Sequence, residues 1–188
     1  YHKKDWVMKK ISKKKSKELN KLVSIDKIRR VIEILRDPDG GCPWDLKQDY
    51  SSIAPYSIEE AYELVNAIEK NDINEIKSEL GDLLLQVVLI SQIASDQGDF
   101  NFDDVADEIS QKIIRRHPQI FDENYKINDL PQESWERIKN LEKKNKNTSN
   151  KSTLDQIENN MPTVLKSLKI QKKAASLNFD WISKDQVL

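Results

Sequence analysis

Glu60 and Glu63 in "SIEEAYEL" (57–64), and Glu79 and Asp82 in "EIKSELGDLLLQVV" (75–88), form two acid pairs of identical spacing. Residues three apart on an α-helix share a face, so each pair projects its carboxylates together. If the two segments are helices packed antiparallel through Leu64, Ile68, Leu80 and Leu83, the pairs meet at one level and their carboxylates share a pocket. Like charges so close repel unless a cation lies among them, and an all-oxygen ligand set selects a hard ion, Mg²⁺ or Mn²⁺. A structural reading of the same residues also stands. Ser57-Ile58-Glu59-Glu60 has the form of a capping box, which would occupy Glu60, and Glu79 could pair with a nearby lysine. Gly81, inside the second segment, costs a helix about 1 kcal/mol relative to Ala and points to close packing or ligand access.

A second group of residues has complementary chemistry. "KIIRRHP" (112–118) puts Lys112, Arg115 and Arg116 at a helix end, and "WERIKNLEK" (135–143) adds Trp135 and Lys139. Cations at a helix C-terminus are also explained by the helix dipole, and a tryptophan by core packing. Together with a metal-acid pocket, however, phosphate-pairing cations and a stacking aromatic are the parts that a nucleotide polyphosphate site needs.

The elements that must position these groups read as helices almost throughout. Ile25, Ile28, Val31, Ile32 and Leu35 repeat at helical spacing over Ser24–Arg36 behind a serine cap, and "DPDGGCPWD" (37–45) breaks the pattern. A second helix is expected from Ser57, with Ala61, Leu64, Val65 and Ile68 buried. A third, capped by Asp72 with Glu75, runs to about Asp96, and a fourth runs from Asn101 to about Arg116. Further helices are expected over Gln132 to about Lys144 and Thr163 to about Leu177. Only four glycines occur and no Asn-Gly hairpin turn appears, so the fold class is all-α, an antiparallel helical bundle. The domain reading is a basic, flexible tail over 1–23, a catalytic helical domain over 24–144, a linker over 145–153 and a helical extension over 154–188.

Composition narrows the function further. With 34% charged residues and one cysteine, Cys42, the chain reads as a soluble cytoplasmic protein with no internal disulfide. No apolar run is long enough for a membrane span, and no signal-peptide pattern follows the N-terminal lysines. Met8 opens a more typical start than Tyr1. Twelve Lys or Arg fall within residues 1–30, yet no aromatics are interleaved to stack bases, so nucleic acid is not the expected partner.

With these motifs placed, the chain resembles a known family. Glu59-Glu60-x-x-Glu63 followed by Glu79-x-x-Asp82 looks like the signature of the all-α nucleoside triphosphate pyrophosphohydrolases, and the surroundings resemble the MazG branch. "LRDPDGGCPWD" (35–45), "ELGDLLLQVV" (79–88), "RRHPQIF" (115–121), "WERIKNLEK" (135–143) and "QKKAASLNFDW" (171–181) stand in the expected order. The resemblance implies Mg²⁺-dependent hydrolysis of a (d)NTP to monophosphate and pyrophosphate. It implies Glu60, Glu63, Glu79 and Asp82 as metal ligands and Glu59 as a further catalytic acid. Lys112, Arg115, Arg116 and Lys139 would face the phosphates and Trp135 the nucleoside. A homodimer or higher homo-oligomer is implied as well. One departure stands out: Asp49-Tyr50 replaces the expected threonine followed by histidine or an aromatic. Competing readings are a dUTPase-like or phosphoribosyl-ATP-specific enzyme of the same superfamily, and a non-catalytic helical module that binds nucleotide or protein.

Overall fold

The computed structural model describes residues 10–125, 135, 137, 138, 141, 142, 161–175 and 179. Among them every regular element is helical. The chain divides into two compact units, Tyr1–Ile113 and Ile114–Leu188. Lys139, the linker over 145–153, the tail before Lys10 and much of the extension over 154–188 lie outside the described residues.

In the first unit the order is α1 (Lys13–Leu19), α2 (Ser24–Leu35), α3 (Pro43–Lys47), α4 (Tyr50–Glu69) and α5 (Ile73–Gln97), followed by most of α6 (Phe102–Arg116). Within the stretch read as a tail, α1 is helical, and Ser12 Oγ accepts from the Lys15 N–H and caps it. The serine cap expected for α2 does not form. Val23 is the N-cap, without a side-chain bond, and Ser24 takes a left-handed φ of 51°.

Helix α4 begins seven residues before the expected Ser57. Asp49 and Ser52 form a reciprocal capping box, with Asp49 Oδ1 accepting from the Ser52 N–H and Ser52 Oγ from the Asp49 N–H. Pro55 sits inside the second turn. It removes one ladder bond, to the Ser51 carbonyl, a loss tolerable so near the N-terminus. Ser57 is therefore mid-helix and bonds its own helix at the Ile53 carbonyl, which overturns the capping reading of Ser57 to Glu60.

The inward face of α4 also differs from the expected one. Ile53 and Ala67 are buried and Ser57, Glu60 and Leu64 half-buried, a stripe that recurs every three or four residues. Ala61, Val65 and Ile68 lie outside it and are exposed. The stripe is set by the core, which gathers Ile32 of α2, Ile53 of α4 and Val88, Leu89 and Ile93 of α5, with Ile25, Ile28, Leu35, Leu85, Ile90 and Phe102 packed around them. Burying each such aliphatic side chain contributes roughly 1.5–3 kcal/mol. Because Ile53 anchors one end of α4, Glu60 seven residues on must face inward too.

A three-residue turn joins α4 to α5. Asp72 caps α5 as expected, accepting from the Asn74 and Glu75 N–H groups, and Gly98 ends it in the left-handed conformation. The loop between α2 and α3 is fixed by a close approach. A Cβ on Gly41 would collide with the Leu35 carbonyl oxygen and stand 2.7 Å from that of Asp37, so only glycine fits. Arg36 ties this loop to α5: its Nε donates to Asp96 at 2.7 Å and its NH1 to the carbonyls of Asp45 and Gln48.

In the second unit, α6 ends at Arg116, α7 spans Pro118–Phe121, and α8 spans Thr163–Ala175. Trp135, Arg137, Ile138, Leu141 and Glu142 are helical, as the spacing of their apolar members suggests. No helix among the described residues is long and apolar enough to cross a membrane.

Candidate active site

The acids meet across the α4–α5 hairpin. One carboxylate oxygen from each of Glu60, Glu79 and Asp82 lies within 4.8 Å of the others. Glu63, one turn after Glu60, is within hydrogen-bond reach of Glu79. The pairing of the higher-numbered acid on α4 with the lower-numbered one on α5 is what an antiparallel hairpin produces. Glu59 stands beside Glu60 and acts on it only through charge.

Crowding leaves an electrostatic mark. The Glu60 carboxyl is pushed above the usual carboxylate range by partial burial, then by the charges of Asp82, Glu63 and Glu59. Glu79 is pushed up likewise, by burial first and then by Glu63 and Asp82. Both carboxyls thus feel burial and neighbouring negative charge together. No described lysine or arginine forms an ion pair with Glu60, Glu63, Glu79 or Asp82, so the lysine expected as an alternative partner for Glu79 is not found there.

A second mark lies one turn further along α5. Gln86, 7% exposed, stands beside the Glu60 carboxylate and slightly offsets its upward shift, while its Oε1 is buried without a partner. A carboxylate only accepts, so the amide Nε2 is the donor and the carbonyl oxygen is orphaned. Leaving such an oxygen unsatisfied costs about 1–3 kcal/mol.

These features fit a hard divalent cation. With magnesium–oxygen distances of about 2.0–2.1 Å, opposite ligand oxygens stand about 4.2 Å apart, so the spread of the three acids is close to what one ion requires. Carboxylates are the donor type such an ion takes, and its charge would reverse the upward pull on Glu60 and Glu79. Gly81 does not serve close packing among the described residues: a Cβ there would meet nothing within 4 Å. The space beside Asp82 is open.

Of the expected phosphate-binding cations, the described ones have carboxylate partners. Lys112 pairs with Glu108 along α6 at 3.5 Å. Arg115 and Arg116 both bind Glu142, at 2.7 Å each, and the Arg116 guanidinium lies 5.3 Å from the centre of the Trp135 ring. The pair of guanidinium groups holds the Glu142 carboxyl below its ordinary range, Arg116 contributing most. Arg115, Arg116 and Trp135 are thus brought together, with a carboxylate already between the arginines.

Sequence reasoning passed over Gln86, whose only signal is a polar residue at an inward position of an otherwise apolar stripe. It also passed over an exposed aromatic pair, Trp44 and Tyr56, with ring centres 6.1 Å apart in edge-to-face contact. Tyr56 is one helical turn before Glu60.

Residues 48–121 match the model of the MazG nucleotide pyrophosphohydrolase domain. The chain carries a MazG domain. Over 158 residues it is 42% identical to a nucleoside triphosphate pyrophosphohydrolase of Escherichia coli, covering 84% of this chain and 59% of that one. A Thermotoga maritima protein named nucleoside triphosphate pyrophosphohydrolase/pyrophosphatase MazG is 36% identical over 159 residues, covering 85% and 60%. The chain therefore spans about three-fifths of the length of these relatives. The crystal structure of a MazG-related protein from Thermotoga maritima superposes with a TM-score of 0.51 at 24% identity, covering 62% of this chain and 99% of that one. That likeness establishes the all-α fold of the MazG domain. All four converging acids, and Gln86, fall inside the matched span.

Proposed function

We propose that this MazG-domain chain is a Mg²⁺-dependent nucleoside triphosphate pyrophosphohydrolase, converting a (d)NTP and water to (d)NMP and pyrophosphate. The observation that carries the reading is the convergence of Glu60, Glu79 and Asp82, with Glu63 against Glu79, across a hairpin in which no lysine or arginine is ion-paired with them. Glu60, Glu63, Glu79 and Asp82 would hold the ion. Bound there, magnesium supplies Lewis-acid polarisation of the phosphates and acidifies water; Mn²⁺ offers the same chemistry. Glu59, exposed beside Glu60, is the further acid of the reading, able to hold a metal-bound water or to help orient the attacking one. Water adds to phosphorus, the α–β phosphoanhydride bond breaks, and pyrophosphate leaves with the bonding electrons. Lys112, Arg115, Arg116 and Lys139 are the candidates that the family resemblance offers for neutralising phosphate charge. Trp135, and the exposed Trp44–Tyr56 pair, offer aromatic surface to the nucleoside.

The active form is a homodimer or higher homo-oligomer. On α4 the residues Ile58, Tyr62, Val65 and Ile68, and on α5 Ile73, Leu80, Leu84 and Val87, are between 39% and 75% exposed. Two apolar stripes on adjacent helices are more than a monomer ordinarily leaves in water.

Pyrophosphate release from a panel of canonical and modified (d)NTPs tests the reading, comparing the parent with Glu63→Gln and Asp82→Asn. Turnover that both substitutions reduce by ~100-fold or more supports it. A folded, oligomeric sample that turns nothing over refutes it and favours a nucleotide-binding module.

A further inference from the structure

Beyond the acids the inward face of α5 is apolar, with Leu83, Leu89, Ile90 and Ile93 all at least half-buried. Gln86 interrupts it, four residues after Asp82 and seven after Glu79, on the face that carries both acids. A leucine or methionine there would fill the space with no polar group to satisfy. The amide instead stands with its donor end beside the Glu60 carboxylate and its carbonyl oxygen buried and unpartnered.

We propose that Gln86 is a positioning residue of the acid site. Its Nε2 fixes the orientation of the Glu60 carboxylate toward Glu79 and Asp82, and its Oε1 accepts a hydrogen bond from water that enters with the cation. Amide chemistry suits both tasks. A glutamate at this position would add a charge to a cluster already short of counter-charge and could not donate when ionised. An apolar side chain would leave Glu60 free to turn away. Partners that orient a metal-binding carboxylate in this way typically change metal affinity 10–100-fold when removed. The inference rests on the acids being a cation site.

Mn²⁺ titration of the full chain, without substrate, tests it; free Mn²⁺ is followed by its paramagnetic resonance signal. Parent, Gln86→Met, Gln86→Leu and Glu63→Gln are compared, each with a thermal unfolding curve of the metal-free protein. The expected result is a rise in the Mn²⁺ dissociation constant of ~10-fold or more in both Gln86 variants, with a melting temperature equal to the parent's or higher. Loss of affinity and gain of stability then run in opposite directions, which a packing role for Gln86 does not produce. If the Gln86 variant that folds binds Mn²⁺ within two-fold of the parent while Glu63→Gln does not, the role of Gln86 is overturned and the acid site stands. If affinity falls only in step with the melting temperature, the role is overturned equally. A parent that binds no Mn²⁺, or a Glu63→Gln variant that binds it as well as the parent does, overturns the cation site itself.

Discussion

Arg36→Met would remove the clamp between the α2–α3 loop and α5 while keeping the side chain's apolar stem. The Arg36 side chain is 8% exposed and Asp96, its carboxylate partner, 34% exposed. A charge-assisted bond is worth about 1.5–3 kcal/mol, and the lower end applies because Asp96 keeps some water and a second donor, Gln92 Nε2 at 2.8 Å. The Asp45 carbonyl retains the Gln48 N–H, so its loss is small, whereas the Gln48 carbonyl gives up the Arg36 donor, at about 1 kcal/mol. Together these give a destabilisation of about 3 kcal/mol. For a chain of this length that corresponds to a fall in melting temperature of about 6–12 °C. Arg36→Lys keeps the charge but not the planar fork that reaches a carboxylate and two carbonyls at once, so it should recover less than half of the loss. Urea unfolding followed by far-ultraviolet circular dichroism measures both. A methionine variant within 1 kcal/mol of the parent, or a lysine variant that matches the parent, would refute the reasoning.

Other perturbations give equally definite outcomes. Gly81→Ala adds a methyl that meets nothing within 4 Å, so helix propensity should stabilise the isolated chain by up to about 1 kcal/mol; if the open space serves substrate or a second copy, activity or oligomer mass falls in the same sample. Gly41→Ala drives a Cβ into the Leu35 carbonyl and should cost more than 2 kcal/mol in thermal unfolding, far beyond the effect of Gly81→Ala. Glu142 has a folded-state pKa below its unfolded one, so its contribution to stability is full above the unfolded value and disappears as pH falls through the folded value. Stability curves of parent and Glu142→Gln should therefore lie furthest apart near neutrality and converge on acidification below about pH 4; parallel curves would mean that the arginine pair does not hold this carboxylate.

The convergence of the acids was legible because its signal is local. Two i, i+3 pairs on segments with clear helical period need only an antiparallel turn to meet, and Asp72 announces that turn. The start of α4 was obscured by Pro55, which reads as a helix breaker, while the true signal, Asp49 with Ser52, lies where the family-like pattern departs. A cap can be supplied by aspartate as readily as by threonine, so that departure preserves the local structure. The buried face of α4 was misassigned because apolar residues occupy two stripes, and only contact with Ile32 and Ile93 decides which turns inward. Arg36 carried no signal, and Gln86 only that of a polar residue on an apolar stripe. Each is defined by partners distant along the chain or on another helix, and residue type alone carries no sign of them.

The hairpin that holds the acids is also a statement about time. Glu60 to Gln86 is a short stretch closed by a three-residue turn, so bringing its ends together forfeits little loop entropy and needs none of the long-range contacts that slow folding. The site thus belongs to the part of the chain that can assemble first, on the microsecond scale of helix formation and local collapse. Hydrogen exchange should find α4 and α5 opening together, as one cooperative unit.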